Sequence, residues 1–175
     1  MKKLNKVIGS ALFITSAILM SSAHADSGFY LGASAGNASI SGQPDTSIDF
    51  DSDDTGYKVF GGFKFALLAI EASYVDFGKP EQNNINVELS GYDLFGILNI
   101  GIGPIDLFGK VGVFAWDSDA LVSGNSVNKD GTDPVYGIGA GLSLGSLSVR
   151  AEYEYFDISD FDTVEMISVG ASLTF

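Results

Sequence analysis

Thr163-Val-Glu-Met-Ile-Ser-Val-Gly-Ala-Ser-Leu-Thr-Phe175 closes the chain and decides how the rest is read. From Ile167 onward every second residue is apolar: Ile167, Val169, Ala171, Leu173 and Phe175. The residues between them, Ser168, Gly170, Ser172 and Thr174, are small or polar. A period of two places these sets on opposite faces of a β-strand. A strand apolar on one face, small and polar on the other, and ending on an aromatic suits the last strand of a transmembrane β-barrel. The solvent of such a protein is lipid, and its function resides in a lumen and a set of loops.

The same alternation predicts seven earlier strands, at about 29–37, 56–65, 68–77, 87–100, 105–116, 135–144 and 147–156. Each is close to the ~9–11 residues that a tilted membrane strand requires. The fourth has the weakest phase: Leu94, Leu98 and Ile100 fit one face, but Phe95 and Ile97 fit the other almost as well. The connectors alternate in length. Ala66-Leu67, Gly101–Pro104 and Gly145-Ser146 are short, whereas Ala38–Thr55, Gly78–Asn86, Asp117–Pro134 and Asp157–Asp162 are longer and polar. Short periplasmic turns, longer external loops and an even strand count belong together in outer-membrane barrels. The reading is an all-β, eight-stranded, antiparallel up-and-down transmembrane barrel over residues 26–175.

Residues 1–25 read as a secretory signal peptide. Lys2, Lys3 and Lys6 precede an apolar run, Val7–Met20, and Ala23-His24-Ala25 forms an A-x-A cleavage site. The apolar run is too short for a helical span. Cleavage leaves six bases against 22 acids, a net charge of −16. Such a surface repels nucleic acid. With no cysteine there is no disulfide framework, so stability is expected from a closed hydrogen-bonded barrel in lipid.

A soluble ligand-binding barrel is the competing all-β architecture, and it is apolar inside and charged outside. The strand charges separate the two. Lys58, Lys64, Glu71, Lys110, Arg150, Glu152 and Glu154 all share a face with Gly and Ser, never with Leu, Val and Tyr. In water that arrangement would bury the charges and expose unbroken apolar stripes. In a bilayer it avoids the roughly 2–4 kcal/mol cost of a basic residue facing the midplane. Phe29, Tyr57, Phe65, Tyr74, Tyr136, Tyr153, Tyr155 and Phe175 lie on the apolar face near strand ends, as interfacial girdles do.

Gly56-Tyr-Lys-Val-Phe-Gly-Gly-Phe-Lys-Phe65, Glu71-Ala-Ser-Tyr-Val-Asp-Phe-Gly78 and the terminal Phe175 resemble the transmembrane domain of outer membrane protein A and related small porin-like barrels. The resemblance covers nearly the whole mature chain. It implies that the barrel-assembly machinery reads Ile167, Val169, Ala171, Leu173 and Phe175 as an assembly signal. Longer members of the family carry a periplasmic peptidoglycan-binding domain; this chain ends at Phe175, and no cell-wall tethering is expected of it.

Inside the predicted barrel, Lys58, Lys64, Lys110 and Arg150 oppose Glu71, Glu152 and Glu154, with Asp106 near the periplasmic end. Lys64 and Glu71, flanking the Ala66-Leu67 turn, are expected to face each other, and Lys110 and Glu152 to lie at similar depth. An eight-stranded barrel is just wide enough for its side chains to fill. The pairs therefore plug the interior or, as has been proposed for outer membrane protein A-like proteins, gate a narrow low-conductance ion path. The loops are acidic: Asp49, Asp51, Asp53 and Asp54 in the first, with further Asp in the third and fourth. Asp49-Phe-Asp51-Ser-Asp53 resembles a calcium loop only superficially. The glycine of the sharp turn is missing, and Phe60 stands where the bidentate Glu belongs. The loops read as a solvated acidic rim, or as carboxylates bridged by divalent cations to lipopolysaccharide phosphates, or as a surface for a host or phage.

The single histidine, His24, lies in the signal peptide, so the mature chain has no histidine base for hydrolase or acyltransferase chemistry. No Gly-rich phosphate loop is present, and no cofactor or metal site is predicted. The sequence therefore points to a monomeric, non-catalytic outer-membrane barrel. Its expected partners are membrane lipid, lipopolysaccharide and, during biogenesis, the assembly machinery.

Overall fold

A computed structural model describes residues 27–42, 50–78, 81–82, 85–122, 125–159 and 163–175. The signal-peptide reading of residues 1–25 and the carboxylate of Asp49 lie outside the described residues, as do the side chains of Asp51 and Asp53. Eight long strands form the fold: β1 Ser27–Gly42, β2 Phe50–Phe65, β3 Leu68–Asp76, β4 Ile85–Ile102, β5 Ile105–Val122, β6 Asn125–Leu144, β7 Leu147–Phe156 and β8 Thr163–Thr174. A two-residue segment, Glu81–Gln82, pairs with the start of β4. Every strand is antiparallel to its sequence neighbour, and β1 pairs with β8 from Tyr30↔Thr174 to Ser41↔Thr163. That last ladder closes the sheet into a barrel without a free edge at the level of the bilayer, the condition for crossing lipid with strands.

One end of the barrel is made of three two-residue turns. In each, the first turn residue has positive φ: Ala66 (52°), Gly103 (64°) and Gly145 (68°). That geometry matches the twist of the flanking strands. The other end is uneven. β3 and β7 stop at Asp76 and Phe156, while β5 and β6 continue to Val122 and Asn125. The Asp117–Pro134 connector, expected as a loop, is thus mostly a tall hairpin, paired from Asp117↔Asp130 to Val122↔Asn125. Much of Ala38–Thr55 is likewise strand, since β1 reaches Gly42 and β2 begins at Phe50. Beyond the apolar band the outer face of a strand meets water instead of lipid. The alternation that marks a strand in lipid fades there, although the backbone ladder continues.

The two faces segregate as the charge pattern requires. Phe29, Ile70, Ile138 and Val169 are 60–68% exposed on the outside, whereas inward Lys58, Glu71 and Glu154 are at most 1% exposed. In β4, Leu94, Leu98 and Ile100 face outward while Phe95 and Ile97 are buried, which settles the strand's phase. Glycine makes room for the interior rings. Phe60 lies opposite Gly32, Tyr30 opposite Gly62, Phe95 opposite Gly112 and Phe108 opposite Gly139. A β-carbon on any of these glycines would strike the facing ring.

At the uneven end an apolar layer fills the lumen. Phe77, Phe114 and Phe156 meet edge to face, with centroids 4.9–5.8 Å apart. Ile40, Leu89, Trp116, Val135, Val164 and Met166 are buried in the same core. Each fully buried phenyl ring contributes about 1.5–3 kcal/mol. This seal was not apparent from strand alternation, because Phe77, Phe114 and Phe156 occupy inward positions that the pattern assigns to polar residues.

Candidate functional site

Below the seal lies a network of buried charges. Alternation on β7 turns Arg150, Glu152 and Glu154 inward together, against Lys58 of β2, Glu71 of β3 and Lys110 of β5. Lys58 Nζ pairs with Glu152 Oε2 and, at 2.7 Å, with Glu154 Oε2. Lys110 Nζ reaches Glu152 at 2.9 Å, Glu154 at 2.7 Å and Glu71 at 3.8 Å. Arg150 donates from both terminal nitrogens to the two oxygens of Glu71, at 2.7 and 3.0 Å, and its Nε lies 2.6 Å from Glu152 Oε1. The bidentate fork is the strongest form of such a pair. These contacts tie four strands together across the barrel axis, which backbone pairing alone cannot do.

Rings support the bases. The Arg150 guanidinium carbon sits 3.5 Å from the centre of the Phe60 ring, and Lys110 Nζ lies 4.4 Å from that of Phe95. Cations over aromatic faces gain about 0.5–2 kcal/mol, most when desolvated. Tyr30 Oη donates to Glu71 Oε2 at 3.0 Å.

Six of the seven predicted lumen charges meet in this network; Lys64 does not. The register pairs Lys64 with Ala69 and Glu71 with Gly62, so the expected Lys64–Glu71 pair does not form. Alternation and a two-residue turn put both side chains inside but at different depths. Lys64 instead approaches Asp106 at 3.6 Å near the turns, where Ser143 Oγ also donates to Asp106. A polar mouth of 350 Å³, lined by Lys64, Asn99 and Asp106 among others, opens there.

Three interior residues went unassigned to the network: Tyr30, Ser73 and Asp93. Ser73 Oγ donates to Asp93 Oδ1. The signal for Asp93 was present: once Leu94 and Leu98 face lipid, residue 93 must face inward. At the uneven end Asp54 is half-buried within β2, where its Oδ1 accepts from Thr55 N at 2.6 Å. Asp117 and Asp130 are exposed and directly opposite each other on β5 and β6. Ile167, Val169, Ala171, Leu173 and Phe175 all face outward on β8. No group of three or more potential metal ligands occurs among the described residues.

The family model of the OmpA-like transmembrane domain matches residues 24–175. The chain belongs to that family. OmpA-like barrels are Gram-negative outer-membrane proteins, and this chain is one of them. No curated protein matches its sequence. Among solved structures, Neisserial surface protein A superposes with a TM-score of 0.69 at 16% identity, covering 84% of this chain and 97% of that one. The N-terminal β-barrel domain of Pseudomonas aeruginosa OprF gives 0.60 at 13% identity over 86% and 98%. Ail, the attachment invasion locus protein of Yersinia pestis, crystallised with the heparin analogue sucrose octasulfate, gives 0.58 at 19% identity over 85% and 99%. At these identities the likeness is one of fold.

Proposed function

We propose that this OmpA-like barrel is a non-catalytic envelope scaffold whose working surface is the acidic rim at its uneven end. The observation that carries this reading is the seal: among the described residues, Phe77, Phe114 and Phe156 pack together across the lumen above a paired charge network, so two filled layers lie along the axis. A gated low-conductance pore would require both layers to rearrange. Among the described residues the interior is occupied by buried side chains, and the sequence after residue 25 contains no histidine. What the molecule presents to the outside is therefore its loops and tall strands. By the usual orientation of such barrels, the short turns face the periplasm and the uneven end faces outward.

The charge of that rim selects its partners. Six bases stand against 22 acids in the mature chain, and four of those bases lie inside the barrel. A polyanion such as the sulfated ligand of the Ail complex meets repulsion here. Divalent cations that bridge the rim carboxylates to lipopolysaccharide phosphates, or basic surfaces that meet the rim directly, are favoured. Reconstitution in planar bilayers and in nanodiscs tests both halves. The expected result is no unitary conductance, together with a calcium-dependent rise in thermal unfolding in lipopolysaccharide nanodiscs that phospholipid nanodiscs do not show. Steady unitary currents would refute the scaffold reading, and an unchanged unfolding temperature would refute the cation bridge.

A further inference from the structure

Seven ionisable side chains are buried among the described residues, and they do not balance: Lys58, Lys110 and Arg150 stand against Glu71, Glu152, Glu154 and Asp93. Each glutamate contacts at least two of the bases. Asp93 has no base within ion-pair distance among the described residues. It is 3% exposed. Its Oδ1 accepts from Ser73 Oγ, but its Oδ2 is buried without a hydrogen-bond partner. The ladder places it between Ser73 of β3 and Phe114 of β5, directly beneath the aromatic seal. The charged groups that act on it are Glu154 from β7, Lys58 from β2 and Lys110 from β5. Both lysines are already engaged by glutamates, and Glu154 adds repulsion.

A carboxylate buried in this way does not stay bare; it binds a proton or draws in a counter-ion. We propose that Asp93 Oδ2 is a binding site for one small monovalent cation, a proton or an alkali ion, which completes the charge of the barrel interior. One unit of positive charge is what the count lacks.

The wild-type protein and Asp93→Asn, both refolded in detergent, test this. Infrared difference spectra between pH 5 and pH 8 read a protonated carboxyl. Urea-unfolding midpoints in sodium or potassium chloride, against choline chloride at equal ionic strength, read an alkali ion. A carbonyl band of a protonated acid that Asp93→Asn removes identifies the proton. No such band, with a midpoint higher in sodium or potassium than in choline and a difference lost in Asp93→Asn, identifies the alkali ion. The absence of both signatures overturns the proposal. Should Asp93→Asn fail to regain heat-modifiable gel mobility, Ser73→Ala serves instead. It keeps the carboxyl, and it must either shift the carbonyl band or change the alkali dependence; if it does neither, the proposal fails.

Discussion

Arg150 shows how much one side chain can carry in this lumen. Its guanidinium lies on the Phe60 ring, forks onto Glu71 and brings Nε to Glu152, so β7 is tied to β2 and β3 through one residue. Removing one partner of a buried pair leaves the other charge uncompensated, at a cost of about 3–5 kcal/mol. Glu71→Ala is expected to lower stability by that amount in urea titrations of the vesicle-inserted protein. In a cycle with Arg150→Met, the double variant should lose less than the sum of the two single changes. The interior glycines make a second demand. A β-carbon at residue 112 would come within 2.1 Å of the Leu94 carbonyl oxygen and 2.9 Å of the Phe95 ring, so Gly112→Ala should cost about 1–3 kcal/mol or more by overpacking, read from the same titration. The inward set of charges was legible from parity, because side-chain direction alternates along a regular strand. Their pairing was not. Partners are chosen across the barrel axis, by strand tilt and stagger, and the Lys64–Asp106 contact in place of Lys64–Glu71 records that difference.

The turns and tall strands obey a different rule from the lipid-facing band. Of the three turn residues with positive φ, Ala66 alone has a β-carbon. Ala66→Gly is therefore expected to raise stability by about 0.5–1 kcal/mol, seen as a higher urea midpoint with unchanged slope. The central portion of each strand could be read from the sequence, since one face meets acyl chains and the other a packed lumen. Strand ends could not. From Asp117 to Pro134 the composition is that of a loop, yet the backbone is paired throughout β5 and β6, because in water a polar strand needs only its ladder and a neighbour. The apolar seal escaped for the opposite reason: Phe114 and Phe156 are greasy residues on the face that alternation marks as polar.

At the scale of the molecule, the segregation of charge from lipid is what the envelope enforces. Val169 faces outward beside Ala35 and Ala151, well inside the apolar band. Val169→Arg should cost about 2–4 kcal/mol when refolding into vesicles is titrated, whereas Asp157→Arg at the rim should cost about 1 kcal/mol or less. The two rims of the band also differ in kind. Phe29, Phe63, Phe65 and Phe175 ring the turn end, while Tyr57, Tyr74, Tyr92, Tyr136 and Tyr153 ring the other. Phenyl groups have no polar tip, but phenols hold one at the wet boundary. The collar of hydroxyls therefore fixes the waterline. Counted from Tyr136 up β6 to Asn125, at the usual rise per residue and strand tilt, the β5–β6 hairpin stands roughly 25–30 Å above that line. It is a mast rather than a loop: on the reading proposed above, it would carry the working surface beyond the sugars nearest the membrane, and shortening it would withdraw that surface while leaving the hull intact.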